Sequence, residues 1–150
     1  MSDDRVERVY REHAPRVWRA VFAYSGDREI ANDAVAEAFA QVLRQGDAVR
    51  DPLAWVWTAA LHVATDELRR RQHFGDLPPD GQYDAPEASP VEAALAQLSP
   101  AQRAAVVLHY FGGFRLIDIA EIAGISKATV GVHLTRARRR LRKLLEAHDG

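Results

Sequence analysis

Seven basic side chains, Lys127, Arg136, Arg138, Arg139, Arg140, Arg142 and Lys143, crowd residues 126 to 143, a segment without an acid. Cations at that density can neutralise phosphates, and each phosphate neutralised releases a counterion. A solvated helix face has the same composition, so the charge run alone does not separate the two. Residues 74 to 100 carry the opposite sign, with Asp76, Asp80, Asp84, Glu87 and Glu92 and no Lys or Arg. The formal net charge of -1 is thus an average over uneven parts. A neutral average is compatible with a local phosphate-binding surface.

Other chemistry finds little support. The chain has no cysteine, which excludes disulfides and thiolate metal sites. The histidines, His13, His62, His73, His109, His133 and His148, show no ligand spacing. There is no Gly-rich phosphate loop, HExxH or nucleophile elbow. The expectation is a protein that is not an enzyme and uses no metal or cofactor. No apolar run is long enough to span a bilayer. The start, MSDDRVERVYREH, lacks the apolar core of a secretory signal. A cytoplasmic protein without membrane insertion is expected.

The elements that must position the basic run read as helix. Leu116 to about Ala123 forms a short helix, Gly124 supplies the turn, and Ser126 caps a last helix running to about Ala147. Ala120 is small where two helices would approach, and Val130 would pack back with Ile119, Ile125 and Leu134. This is helix-turn-helix spacing, although an ordinary helical hairpin shares it. Along the last helix Val130, Leu134, Ala137 and Leu141 make the expected buried stripe. Lys127, Ala128, Gly131, Val132, Thr135, Arg136, Arg138, Arg139 and Arg142 lie mainly elsewhere, small first and basic further on. Small residues admit a helix deep into a major groove, and arginines hold flanking phosphates. Lys127 and Thr135 are the best candidates for base edges. Upstream, a short helix from Val91 to Leu98 precedes Ser99-Pro100 with Gln102, a capping box, and a helix stopping at Gly112-Gly113.

A second helical unit precedes this one. Val6, Val9 and Tyr10 share a face, and Pro15 is expected to start a new helix that continues through Val17, Trp18, Val21 and Phe22. After the turn Ser25-Gly26-Asp27, Ile30, Ala34, Val35, Ala38, Phe39, Val42 and Leu43 give a helical stripe. Asp51-Pro52 caps a helix with Leu53, Val56, Trp57, Ala60, Leu61, Ala64 and Leu68 on one face, ending in Arg69-Arg70-Arg71. Between the units FGDLPPDGQYDAPEASP holds four prolines and cannot sustain a helix. The fold class expected is all-α: two small helical domains, 1–73 and 91–150, joined by a flexible acidic linker, 74–90.

The segment LSPAQRAAVVLHYFGGFRLIDIAEIAGISKATVGVHLTRARRRLRKLL resembles the C-terminal promoter-binding domain, region 4, of extracytoplasmic-function (ECF) sigma factors. VYREHAPRVWRAVF, GDREIANDAVAEAF and PLAWVWTAALHVATDELRRR resemble region 2, in the family's order. The resemblance covers about 120 residues in two blocks and implies binding to core RNA polymerase and promoter DNA. It places polymerase contacts at Asp33, Glu37, Phe39 and Gln41. It places −10 element contacts on the helix carrying Trp55, Thr58, His62, Arg69 and Arg70, with loop 45–50 matching the segment that captures a flipped base. Such capture needs a pocket or stacking platform, because extruding a base costs a few kcal/mol. Region 4 would read the −35 element. The linker would run along the polymerase's channel, and an anti-sigma factor would be a possible partner.

The sequence also departs from the family. Gly131, Val132 and His133 stand where a basic or polar run is common. Leu61 and His62 replace a frequent Arg-Asn pair, and Ala34 and Ala36 replace bulkier Leu and Gln. Two alternatives stay open. ISKATVGVHLTRA also resembles the DNA-binding domain of LuxR-type regulators, although residues 1–73 show none of the strand–helix alternation of their receiver domains. A degenerate sigma-like module kept for protein interaction is the other.

Overall fold

The computed structural model describes residues 2–73 and 89–149 of the chain, and within them every regular element is helical. Two units divide in the stretch outside those residues. The expected linker, 74–90, lies outside the described residues except for Ser89 and Pro90.

The first unit is a bundle of α1 (Ser2–Ser25), α2 (Arg28–Gln45) and α3 (Pro52–His73), each packed on the other two. Its core is rich in alanine: Ala20, Ala23, Ala31, Ala34, Ala38, Ala60 and Ala64 are buried beside Val17, Val21, Ile30, Val42, Val56 and Trp57. Small side chains let helix backbones approach closely, and Trp57 is the largest side chain buried among them. Pro15 does not start a new helix; it lies inside α1. A proline there removes one backbone bond and costs roughly 3 kcal/mol. The buried residues on both sides of it, Val6 and Ala14 before and Val17 and Ala20 after, hold the helix to one partner face. Tertiary burial outweighs the local break.

The junctions follow local chemistry. Asp27 caps α2 by accepting the Ile30 N–H at 2.9 Å. Asp51 caps α3 through the Ala54 N–H at 3.2 Å. Gly46, at φ 59°, ends α2 and opens a single 3-10 turn, Gly46–Ala48. Val49 then turns inward, and its carbonyl accepts a bond from Arg5 Nη2 at 2.8 Å.

The second unit contains α4 (Pro90–Ala96), α5 (Pro100–Val106), α6 (Leu116–Ala123) and α7 (Lys127–Asp149). The Ser99–Gln102 capping box forms as expected. A second one, Ser89 with Glu92, starts α4 one residue before the expected Val91. Arg103 closes the α4 end by donating to the carbonyls of Leu95 at 3.0 Å, Ala96 at 3.3 Å and Leu98 at 3.0 Å. Beyond α5 the backbone widens into a π-turn, Val107–Phe111, in which the Gly112 N–H reaches back to Val107 O at 3.2 Å. Only glycine fits at 112, because a Cβ there would stand 2.7 Å from Leu108 O and from the Phe114 ring.

Gly124, at φ 70° and ψ 33°, makes the left-handed turn between α6 and α7, a conformation that costs glycine least. The Ser126 hydroxyl accepts the Thr129 N–H at 3.1 Å. Ile119, Val130, Leu134 and Ala137 are buried with Leu95, Leu98, Val107 and Leu108. Two expected core residues are not. Ile125 is exposed in the turn before α7 begins, and Leu141 is only half-buried.

Candidate nucleic-acid interface

The face of α7 opposite its buried stripe is open. Val130, Leu134 and Ala137 point inward, and the helical repeat then places Ala128, Val132, Thr135, Arg136, Arg139 and Lys143 outward. All six are exposed. Lys127, Arg138, Arg140 and Arg142 are exposed on the flanks. Among the described residues no carboxylate forms an ion pair with a cation of α7. These charges are therefore held toward solvent, available to phosphates.

Gly131 and Arg138 depart from the expected open face. Gly131 lies on the flank beside α6, where a Cβ would meet Leu116 Cδ2 at 3.9 Å, an ordinary contact. Arg138 is tethered: its Nε donates to the Tyr110 hydroxyl at 2.6 Å, and its guanidinium lies 5.6 Å from that ring's centroid. Tyr110 is itself exposed and meets His109 edge-on at 4.8 Å. Sequence reasoning did not find this pair, because it joins the π-turn to α7 across 28 residues.

On α3, Trp55, Thr58, His62, Asp66 and Arg69 recur at intervals of three and four, so they line one face over about 21 Å. Trp55 is 39% exposed. His62 and Arg69 are exposed, while the Thr58 hydroxyl is tied to Ala54 O at 2.9 Å. The terminal arginines divide their roles. Arg70 is held by Glu67 at 2.6 Å. Arg71 turns back to Asp27 at 2.7 Å and to Glu67 at 3.2 Å. The bonds from Arg70, and then from Arg71, hold the Glu67 carboxyl down at about 2.

On α2, Glu37 gathers Arg44 at 2.9 Å and Gln41 at 3.3 Å. The Arg44 bond first, and then that from Gln41, lower its pKa. Asp33 is exposed. Phe39 is not a surface residue. It is 5% exposed and meets Tyr10 edge-on at 4.9 Å, so its part in any contact is to seat the helix. Its placement in the apolar stripe already signalled burial.

A model of "Sigma-70 region 2" matches residues 9–74, and one of "Sigma-70, region 4" matches residues 89–141. The ECF RNA polymerase sigma factor SigL of Mycobacterium tuberculosis is 31% identical over 154 aligned residues, covering 92% of this chain and 87% of that protein. SigM of the same organism is 29% identical over 93% of this chain and 76% of its own length. Among solved structures, the sigma factor RpoE in complex with the anti-sigma factor NepR from Bartonella quintana shares the fold. Its TM-score is 0.78 at 24% identity, over 93% of this chain and 96% of that one.

Proposed function

The chain belongs to the extracytoplasmic-function sigma factors of the sigma-70 family, and from that premise we propose how its two units divide promoter recognition. It is an RNA polymerase sigma factor that binds core enzyme and directs promoter-specific initiation. Residues 1–73 bind core polymerase and the −10 element, residues 91–150 bind the −35 element, and residues 74–90 link them. On α2, Asp33, Glu37 and Gln41 face the polymerase. On α3, Trp55, Thr58, His62 and Arg69 face the −10 element, with Trp55 as the stacking surface and Arg70 at its edge. On α7, Lys127, Ala128, Val132 and Thr135 enter the upstream major groove, with Gly131 on the flank at its edge, and Arg136, Arg138, Arg139 and Arg142 hold its phosphates.

The observation that carries this assignment is the open outer face of α7, small at one end and cationic along the rest, on a helix-turn-helix whose inner residues Val130, Leu134 and Ala137 are buried. The protein acts by recognition and not by catalysis, and no described helix is long and apolar enough to cross a membrane. A cytoplasmic site of action beside the polymerase fits this reading. An anti-sigma factor as a partner, as NepR is for RpoE, fits it too.

In vitro transcription with purified core enzyme and a promoter library tests the proposal. Start-site-specific transcripts that depend on the chain are expected. Failure to bind core at all would reject the sigma assignment. DNA binding without co-purification of core would favour the LuxR-type reading, and core binding without transcripts the interaction module.

A further inference from the structure

The centre of the outward α7 face is occupied by a hydrocarbon. Val132 is 45% exposed on the side opposite Val130 and Leu134. One turn before it stands Ala128, and Thr135 follows one turn later, both exposed. A solvent-exposed valine contributes nothing to the core and carries the poorer helix propensity of a β-branched residue. Its neighbours along the face add methyl groups and a single hydroxyl; Lys127 lies on the flank at the helix start, and the cations of the outward strip itself begin at Arg136. The middle of the helix therefore offers the groove no charged fork for guanine and no amide for adenine. The one major-groove feature that an isopropyl group recognises is the 5-methyl group of thymine.

We propose that Val132 selects a thymine in the upstream promoter element by packing against its 5-methyl group, so that readout at this position is apolar. The inference rests on the upstream DNA-binding role given above. The charge arrangement favours duplex DNA as the occupant of this face: Arg136, Arg139 and Lys143 extend the same outward strip and carry no ion pair with a described carboxylate. Phosphate contacts on that strip would set the depth and register of the helix, and Val132 would then meet base edges.

The test uses holoenzyme reconstituted from the full chain and core polymerase. Promoters are selected from a library randomised upstream, and each thymine of the selected element is then replaced by uracil, which deletes the methyl group and leaves base pairing intact. The expected result is one position at which uracil weakens promoter binding about four-fold, the effect of one buried methyl-sized group. In Val132→Ser holoenzyme that penalty disappears, and circular dichroism shows the helix content unchanged. A selected element with no thymine, or a uracil penalty of the same size in Val132→Ser, overturns the inference while leaving the sigma assignment standing. Failure to select any upstream sequence overturns the inference together with the upstream DNA-binding role on which it rests.

Discussion

Arg71 Nη1 stands 2.7 Å from Asp27 Oδ2, joining the last turn of α3 to the residue that caps α2. One carboxylate thus serves as helix cap and as tertiary anchor. Removing the anchor alone, Arg71→Met, should cost the first unit about 1 kcal/mol, in the range of a partly buried charged hydrogen bond. Asp27→Ala should cost about 1 kcal/mol more, because the cap is lost as well. Calorimetric unfolding of the two variants checks the order.

The same carboxylates set an acid limit. Burial on its own raises the Asp27 pKa, but the Ile30 N–H, Arg71 and the Glu29 N–H together outweigh it and hold the group below its ordinary value. Glu67 is held down at about 2, chiefly by Arg70. A folded pKa below the unfolded one gives stability that is whole above the unfolded value, near 4 for a carboxylate, and is lost as pH falls through the folded value. The first unit should therefore lose thermal stability as pH falls from about 4 toward about 2. Arg71→Met should show a shallower loss there. Identical acid limbs for the two proteins would count against the linkage.

Phe39 and Glu37 lie two residues apart on α2, and their substitutions should fail differently. Phe39→Ala empties a core position and should destabilise the first unit by about 3–5 kcal/mol. Glu37→Lys reverses a partly exposed charge and releases Arg44 and Gln41, so the melting temperature should fall only slightly while affinity for core polymerase drops. Pull-down of core alongside calorimetry separates the two outcomes.

Glycines 131 and 112 should respond with opposite signs. At 131 a Cβ meets only Leu116 Cδ2 at 3.9 Å, so Gly131→Ala should stabilise the second unit by roughly 0.5–1 kcal/mol through helix propensity. Gly131→Lys should also add a phosphate contact and steepen the salt dependence of upstream DNA binding. At 112 the Cβ collides with backbone and ring, so Gly112→Ala should lower the melting temperature.

Arg139 points outward without a described carboxylate partner. Arg139→Ala should reduce the slope of log K against log salt by about 0.9, the loss of one phosphate contact. Fluorescence anisotropy with promoter duplex at several salt concentrations reads this directly.

Features set by neighbouring residues were legible in the sequence. The caps at Asp27, Asp51, Ser99 and Ser126, the turn at Gly124 and the limits of α6 depend on bonds spanning three or four residues, which composition and spacing encode. The inward side of α7 was legible for the same reason. What the sequence did not disclose depends on distant partners. Nothing near Arg71 in the sequence points to Asp27, and nothing near Arg138 points to Tyr110. Pro15 read as a boundary because the cost of proline is local, whereas the burial that overrides it comes from other helices. Phe39 was assigned outward by likeness to a family stretch, against its own place in the apolar stripe.

The π-turn at Val107–Phe111 has a consequence for how the Arg138 side chain on α7 is steadied. A wide turn accommodates one residue more than an α-helix would over the same rise, and each residue advances a side chain by about 100°. Deleting one residue from that turn would swing the Tyr110 hydroxyl away and leave Arg138 without its brace. The orientation of Arg138 is thus governed by the winding of a segment that lies outside α7.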